Sequence, residues 1–137
     1  MALISYEEFQ KTDAYPAFAK QNSDVGYLKV QAFMADQAIP IPDVEILITK
    51  EIEGNIVVFF RGYTDSSGII DNITLPAPAD TYNVSTETFS EFEVYDLTAV
   101  KESFQTLKKY TIGMFGGLKV LQYIKMIPMI QGGSYAR

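Results

Sequence analysis

Apolar and polar residues alternate with a period of two along much of the chain from Gly26 onward. The first such segment, 26–34, is typical of a strand with one buried side. Its predicted inner side carries Leu28, Val30, Ala32 and Met34. Comparable segments follow at 44–49, 56–64, 69–75, 94–100, 104–115 and 118–127. We expect the last two segments to form a hairpin, because Gly116 and Gly117 lie between them. About seven strands at short spacing predict an all-β, Greek-key β-sandwich.

The N-terminal 25 residues follow a different pattern. Ser5 and Glu8 have the spacing of a capping box, in which each side chain binds a backbone N–H group at a helix start. Tyr6 and Phe9 are three residues apart and share one side of the predicted helix. A helix this short is not stable alone, so we expect it to dock on another surface.

A proline divides this N-terminal segment. Pro16 disfavours helical backbone at Tyr15, so we predict an extended stretch through Phe18. The chain therefore divides into an N-terminal arm (1–25), a β-sandwich domain (26–128) and a C-terminal tail (129–137).

The composition is that of a folded domain. The 137 residues fit one domain, and 47% of them are apolar, which is enough to form a sizeable core. No apolar run is long enough to span a membrane, and the first ten residues lack the basic start of a secretory signal. We expect synthesis in the cytoplasm, with later incorporation into a surface or extracellular particle left open.

The net charge and the residue types that the sequence lacks limit which partners and which catalytic groups the chain can have. The net charge is −6 and the chain has no basic stripe, which argues against nucleic acid as a partner. The sequence has no His and no Cys, which removes the usual zinc ligands, the thiol nucleophile and the most common general base. It also has no G-x-S-x-G or S-x-x-K motif. We therefore predict that the chain is not an enzyme and binds no metal or other cofactor.

Three motifs resemble a known family. The segment PIPDV (40–44) comes before the second strand, the turn TDSSG (64–68) comes before a later strand, and YDLT (95–98) is followed by Phe104. In this order they resemble carboxypeptidase regulatory-like domains, which are transthyretin-like (prealbumin-like) β-sandwiches. The resemblance covers roughly residues 26–128. It implies the fold, and it leaves the function open because a fold does not carry a function.

Aromatic side chains are the main candidates for a functional surface. The chain has 9 Tyr and 9 Phe but no Trp. Adjacent strand residues face opposite sides, so Tyr27 and Phe33 are expected outside when Leu28 is inside. One of Phe59 and Phe60 is likewise expected to be exposed or covered by another part of the chain, such as the arm. The candidate interface residues are Tyr6, Phe9, Tyr15, Phe18, Tyr27, Phe33, Phe60 and Tyr82. These aromatics either cover one another within the chain or form a protein interface, in which Tyr, Phe and Met are enriched.

We therefore predict a structural or interaction module that assembles with other protein subunits, including copies of itself, in a larger cell-surface or phage-tail-like complex. The alternative is a carbohydrate-binding or peptidoglycan-binding module, since stand-alone domains of the resembling type often lie beside cell-wall proteins. A glycan site should show coplanar aromatics on one exposed surface. An assembly module should show scattered apolar patches and an arm that is detached from its own core.

Overall fold

The computed structural model describes residues 2–35, 38–79, 91–105 and 108–129. These residues form nine strands and two short helices. In chain order the elements are β1 (Ala2–Ser5), α1 (Tyr6–Phe9), α2 (Tyr15–Gln21), β2 (Asp24–Met34), β3 (Ile39–Pro40), β4 (Glu45–Ile52), β5 (Asn55–Tyr63), β6 (Ile69–Ala77), β7 (Glu93–Val100), β8 (Lys108–Met114) and β9 (Lys119–Lys125).

The strands form two sheets. The first sheet has the order β1-β5-β4-β7-β8, and all its neighbours are antiparallel except β1, which runs parallel to β5. In the second sheet β2 is central, with β6 antiparallel on one side and β9 parallel on the other. The short strand β3 pairs with the end of β2. The two strands beyond the predicted seven, β1 and β3, span only four and two residues, too few to show an alternating pattern.

The core lies between the two sheets, and the alternation in the sequence predicts much of it. The inner side of β2 is confirmed: Leu28, Val30 and Ala32 are completely buried. On the facing side of this core the fully buried side chains are Val44, Ile46, Ile48, Tyr95, Leu97, Ala99 and Met114. The Tyr95 hydroxyl donates a hydrogen bond to the carbonyl of Pro76 in β6, which ties the two sheets together.

The predicted hairpin of the last two strands is wrong. β8 pairs with β7 in the first sheet, whereas β9 pairs with β2 in the second. The connection crosses from the first sheet to the second, where the backbone N–H groups of its two glycines bind instead of closing a hairpin. Gly116 donates to the Pro78 carbonyl and Gly117 donates to the Val25 carbonyl.

The turn TDSSG is confirmed. The Asp65 side chain accepts hydrogen bonds from the backbone N–H groups of Ser67 and Ile69. Gly68 closes the turn with φ +75°, and a Cβ atom there would overlap the carbonyl oxygen of Ala32. The turn therefore needs glycine both for its backbone angle and for its close approach to β2.

Thr64, the first residue of this turn, is buried and holds two backbone groups. Its hydroxyl donates to the Ile41 carbonyl at 2.8 Å and accepts from the Val44 N–H at 2.9 Å. This side chain therefore fixes the entry into β4 against the end of β5.

The start of the arm is confirmed and its second half is not. Ser5 and Glu8 form the predicted capping box. The stretch predicted to be extended from Tyr15 through Phe18 is instead helix α2, with Pro16 in its first turn. Proline is compatible with helix at that position, because the N–H group it lacks has no partner there in any case.

The arm packs on its own domain. Its apolar side chains form a second core cluster around Phe9, Phe18 and Val57. The Phe9 ring packs edge-on against Phe18 and Tyr15, with centroids 5.4 and 5.8 Å apart. The arm detached from its core that we expected of an assembly module is therefore absent from the described residues.

Candidate functional site

The arm aromatics lie inside the protein's own structure. Phe9 and Phe18 are buried, and Tyr6 and Tyr15 pack against the same cluster. The Tyr6 and Phe18 rings contact Phe59 of β5. Two of the four predicted arm residues thus offer no exposed side chain to a partner.

The sheet aromatics divide differently from the prediction. Phe60 is half-buried beside the main core, and so is Phe59. Both face inward because the β4–β5 register shifts between Ile48 and Thr49, and such a bulge interrupts the alternation of sides. The expectation that the two rings lie on opposite sides of the strand is therefore wrong, whereas the arm rings of Tyr6 and Phe18 do cover Phe59. Tyr82 lies outside the described residues.

Tyr27 and Phe33 lie on the outer side of the second sheet, as predicted. Tyr27 is 37% exposed and Phe33 only 8%. The Phe33 ring packs edge-on against Tyr123 of β9, at 6.1 Å and 77°. Rings at this angle are not the coplanar platform that we expected of a glycan site.

The parallel pairing of β2 and β9 gathers their outward side chains on one surface. Tyr27 pairs with Lys119, and the register continues to Phe33 and Lys125. The alternate residues, such as Leu28 and Ile124, face the core. We call this outer surface the β2–β9 face; its residues are Tyr27, Lys29, Gln31, Phe33, Lys119, Leu121, Tyr123 and Lys125.

The β9 half of the β2–β9 face has an exposed apolar centre. Leu121 is 47% exposed and Tyr123 is 43% exposed, whereas the β2 residues paired with them, Lys29 and Gln31, are polar. Sequence reasoning missed these side chains because it placed β9 in a hairpin with β8. The alternation within 118–127 indicated which side chains of this strand share a side. It did not indicate that β2 would be the neighbouring strand.

Lysines surround this apolar centre. Lys119 forms an ion pair with Asp71 of β6 at 2.8 Å. The hydrogen bond from Lys119 is the main cause of a lowered pKa of the Asp71 carboxyl. With Lys29 and Lys125 also present, the face and its Asp71 neighbour carry more positive than negative charge, on a chain whose net charge is −6.

A concave site lies between α2 and the first sheet. Its volume is about 310 Å³, and Lys50 and Glu93 line it. The Lys50 ammonium already binds the Glu93 carboxylate at 2.7 Å and the Val94 carbonyl at 2.8 Å. Glu51 and Glu53 also line the site, so its lining carries more negative than positive charge.

No helix among the described residues is both long and apolar enough to cross a membrane. Within the same ranges, no three acidic side chains come close enough together to hold a metal ion.

Comparison with known proteins finds similarity in structure. No protein-family model and no curated protein matches the chain. Catechol 1,2-dioxygenase from Pseudomonas arvilla C-1 is similar over 99% of this chain and 60% of its own, at 8% identity and a TM-score of 0.52. The 5-hydroxyisourate hydrolase of Klebsiella pneumoniae is similar over 73% of this chain and 90% of its own (17% identity, TM-score 0.46). For transthyretin from Sparus aurata the shares are 72% and 89% (14% identity, TM-score 0.44).

The chain has a transthyretin-like fold, as the sequence motifs implied. Its two packed sheets form the β-sandwich that this fold class implies, with short helices near the N-terminus. The chain spans 60% of the length of the dioxygenase it resembles. At these identities the similarity concerns the fold alone.

The prediction that the chain is not an enzyme is wrong. A solved structure with a similar fold, catechol 1,2-dioxygenase, is that of an enzyme. The lack of His and Cys removes particular catalytic groups, but it does not exclude catalysis on this fold. The likeness transfers neither a reaction nor a residue to this chain.

Proposed function

We propose that this protein associates with other protein chains through the β2–β9 face. The larger cell-surface or phage-tail-like complex expected from the sequence is a setting in which such an association would operate. The observation that carries the proposal is the pair of exposed apolar side chains on β9, Leu121 and Tyr123, with Tyr27 also exposed on the same face. Aromatic side chains exposed together are enriched at protein interfaces.

The surroundings of this centre support the proposal. Protein interfaces combine an apolar centre with a polar rim. Here Lys119 and Lys125 stand at the two ends of β9, with Leu121 and Tyr123 between them. A partner that covered the centre would remove apolar surface from water while leaving the ammonium groups near the edge of the contact.

Site-specific photo-crosslinking tests this proposal. A benzophenone amino acid is placed at Leu121 in the full-length chain, which is expressed in the cells that naturally contain it. The matched control places the same group at Leu3 of β1, which is 64% exposed and lies at an edge of the other sheet. Both sites are exposed leucines, so differences in adducts reflect the surface rather than the probe.

We expect the probe at Leu121 to give discrete protein adducts that the probe at Leu3 does not give. Adducts from both positions in equal yield, or from neither, would refute the β2–β9 face as the interface. Mass spectrometry of the adducts identifies the partner, including a second copy of this chain.

A further inference from the structure

The outward edge of β9 carries unpaired backbone groups among the described residues. The Tyr27 N–H donates to the Leu118 carbonyl at 2.9 Å, and the Met126 N–H donates to the Phe33 carbonyl at 2.8 Å. In a parallel pair every second residue bonds to the neighbouring strand, so the even-numbered residues of β9 bond to β2. The odd-numbered residues direct their N–H and C=O groups away from the sheet: Lys119, Leu121, Tyr123 and Lys125.

The same edge already accepts an antiparallel segment just beyond β9. The Gln105 N–H donates to the Ile127 carbonyl at 2.6 Å, and the Met129 N–H donates to the Ser103 carbonyl at 2.9 Å. Both Ile127 and Met129 are odd-numbered, so they continue the outward edge of β9. The backbone of this edge therefore has a geometry that a strand can bind.

The same residues of β9 supply the outward backbone groups of this edge and the side chains that β9 adds to the β2–β9 face. An added antiparallel strand would thus place every second side chain beside Leu121 and Tyr123. Its ends would lie beside Lys119 and Lys125, six residues apart in sequence.

Resting on the proposed function, we propose that the partner binds by β-strand addition: an extended, acidic protein segment pairs antiparallel with β9. Main-chain hydrogen bonds would supply affinity, and alternate side chains would supply specificity. Acidic residues near the ends of the segment would face the two lysines. Opposite charges across strands stabilise a pair, and like charges destabilise it.

The charges favour this occupant over a second copy of the chain. In a symmetric antiparallel pair of β9 strands centred on Gln122, Lys119 of each copy faces Lys125 of the other. That arrangement brings two like-charge pairs together, whereas an acidic segment compensates Lys125 and brings its other acidic end to Lys119, which already pairs with Asp71.

Binding of synthetic peptides to the full-length chain tests the proposal. The probe is a fluorescent peptide of sequence ETVTITE, in which Val and Ile would face Tyr123 and Leu121. One control, KTVTITK, reverses the end charges. A second control carries N-methyl groups on Val and Ile, which removes the N–H groups directed at β9 and keeps the side chains. We expect ETVTITE to bind and both controls to bind at least about fivefold more weakly.

A charge reversal in the protein complements the peptide series. Lys125→Glu should weaken ETVTITE about fivefold and strengthen KTVTITK, since an exposed ion pair contributes up to about 1 kcal/mol. Lys109→Glu is the matched control, because Lys109 is also exposed but lies on β8 of the other sheet. It should leave both affinities within about twofold.

The outcomes separate this inference from the proposed function. If the N-methylated peptide binds as well as ETVTITE, or if neither acidic peptide binds, strand addition by an acidic segment is refuted. Crosslinks from Leu121 would then still support the proposed function. Concentration-dependent dimerisation that Lys125→Glu strengthens, by placing Glu beside Lys119 of the other copy, would assign the edge to a second copy and also overturn the inference.

Discussion

Truncation of Phe9 tests whether the N-terminal arm is part of the folded core. Phe9 is 1% exposed, and its ring lies between Phe18, Tyr15 and Tyr6, with centroids 5.4, 5.8 and 6.2 Å away. Phe9→Ala removes the central ring of this cluster. The neighbouring rings come from both helices and cannot close the cavity without moving the arm.

The magnitude follows from this burial. A buried Phe→Ala substitution costs about 3–5 kcal/mol, as lost burial and a residual cavity. The edge-on contacts of Phe9 with Phe18 and Tyr15 add to the loss. We therefore expect about 4 kcal/mol, against a total stability of about 5–15 kcal/mol for a domain. The protein should still fold, but with a much smaller margin.

Urea denaturation measures this change. With a slope of about 2 kcal/mol per M, a loss of about 4 kcal/mol lowers the midpoint by about 2 M. Phe92→Ala is the matched control, because it removes the same atoms from a side chain that is 54% exposed. It should cost no more than about 1 kcal/mol.

A loss below about 1 kcal/mol for Phe9→Ala would refute the placement of the arm. It would mean that the arm detaches readily from β5, as the sequence led us to expect of an assembly element. The arm would then be available to a neighbouring chain.

Three further predictions concern single positions. Gly68→Ala should cost more than Gly54→Ala, by about 2 kcal/mol in thermal or urea unfolding; both have positive φ, but only Gly68 has no room for a Cβ atom. Thr64→Val should cost about 2–4 kcal/mol because two buried backbone groups lose their partner, while Thr64→Ser should keep most of the stability. The pKa of Tyr6 is raised to about 12, chiefly by burial. Tyr6 should contribute fully to the free energy of unfolding below pH 10, and this contribution should be lost as the pH rises to 12. Tyr6→Phe should remove this part of the pH dependence of the free energy of unfolding. Tyrosinate absorbance measures the ionisation itself.

The sequence correctly predicted those features that depend only on a few neighbouring residues. The alternation of Leu28, Val30 and Ala32 predicted the inner side of β2, and all three are buried. The spacing of Ser5 and Glu8 predicted a helix start, because a capping box involves only neighbouring residues. Such features depend on a few consecutive positions and are therefore visible in one sequence.

Long-range pairing was not visible in this way. The strands β8 and β9 have a glycine pair between them, as a hairpin would, and only the partners of Gly116 and Gly117 in the other sheet show that the chain crosses over. The parallel contact of β1 with β5 has no local signature either. Helix α2 was missed because Pro16 can precede a helix or open one, and the packing of Phe18 favours the helix.

The β2–β9 face likewise combines features that a local pattern predicts with features that only long-range strand pairing creates. Tyr27 was predicted to face outward from the alternation in its own strand, and it does. Leu121 and Tyr123 become a shared surface with Tyr27 only through the β2–β9 pairing. Phe60 was predicted to be available and is half-buried, because a bulge in the neighbouring register turns it toward the core.

Residue-specific amide hydrogen exchange tests the open β9 edge most directly. In the isolated chain we expect rapid exchange at Leu121 and Tyr123 and slow exchange at Val120 and Gln122, whose N–H groups face β2. Saturating ETVTITE should slow exchange at Leu121 and Tyr123 and leave the other two unchanged. Equal protection of all four amides in the isolated chain would contradict the account, because the edge would already be covered. Continued rapid exchange at Leu121 and Tyr123 with the peptide bound would contradict strand addition.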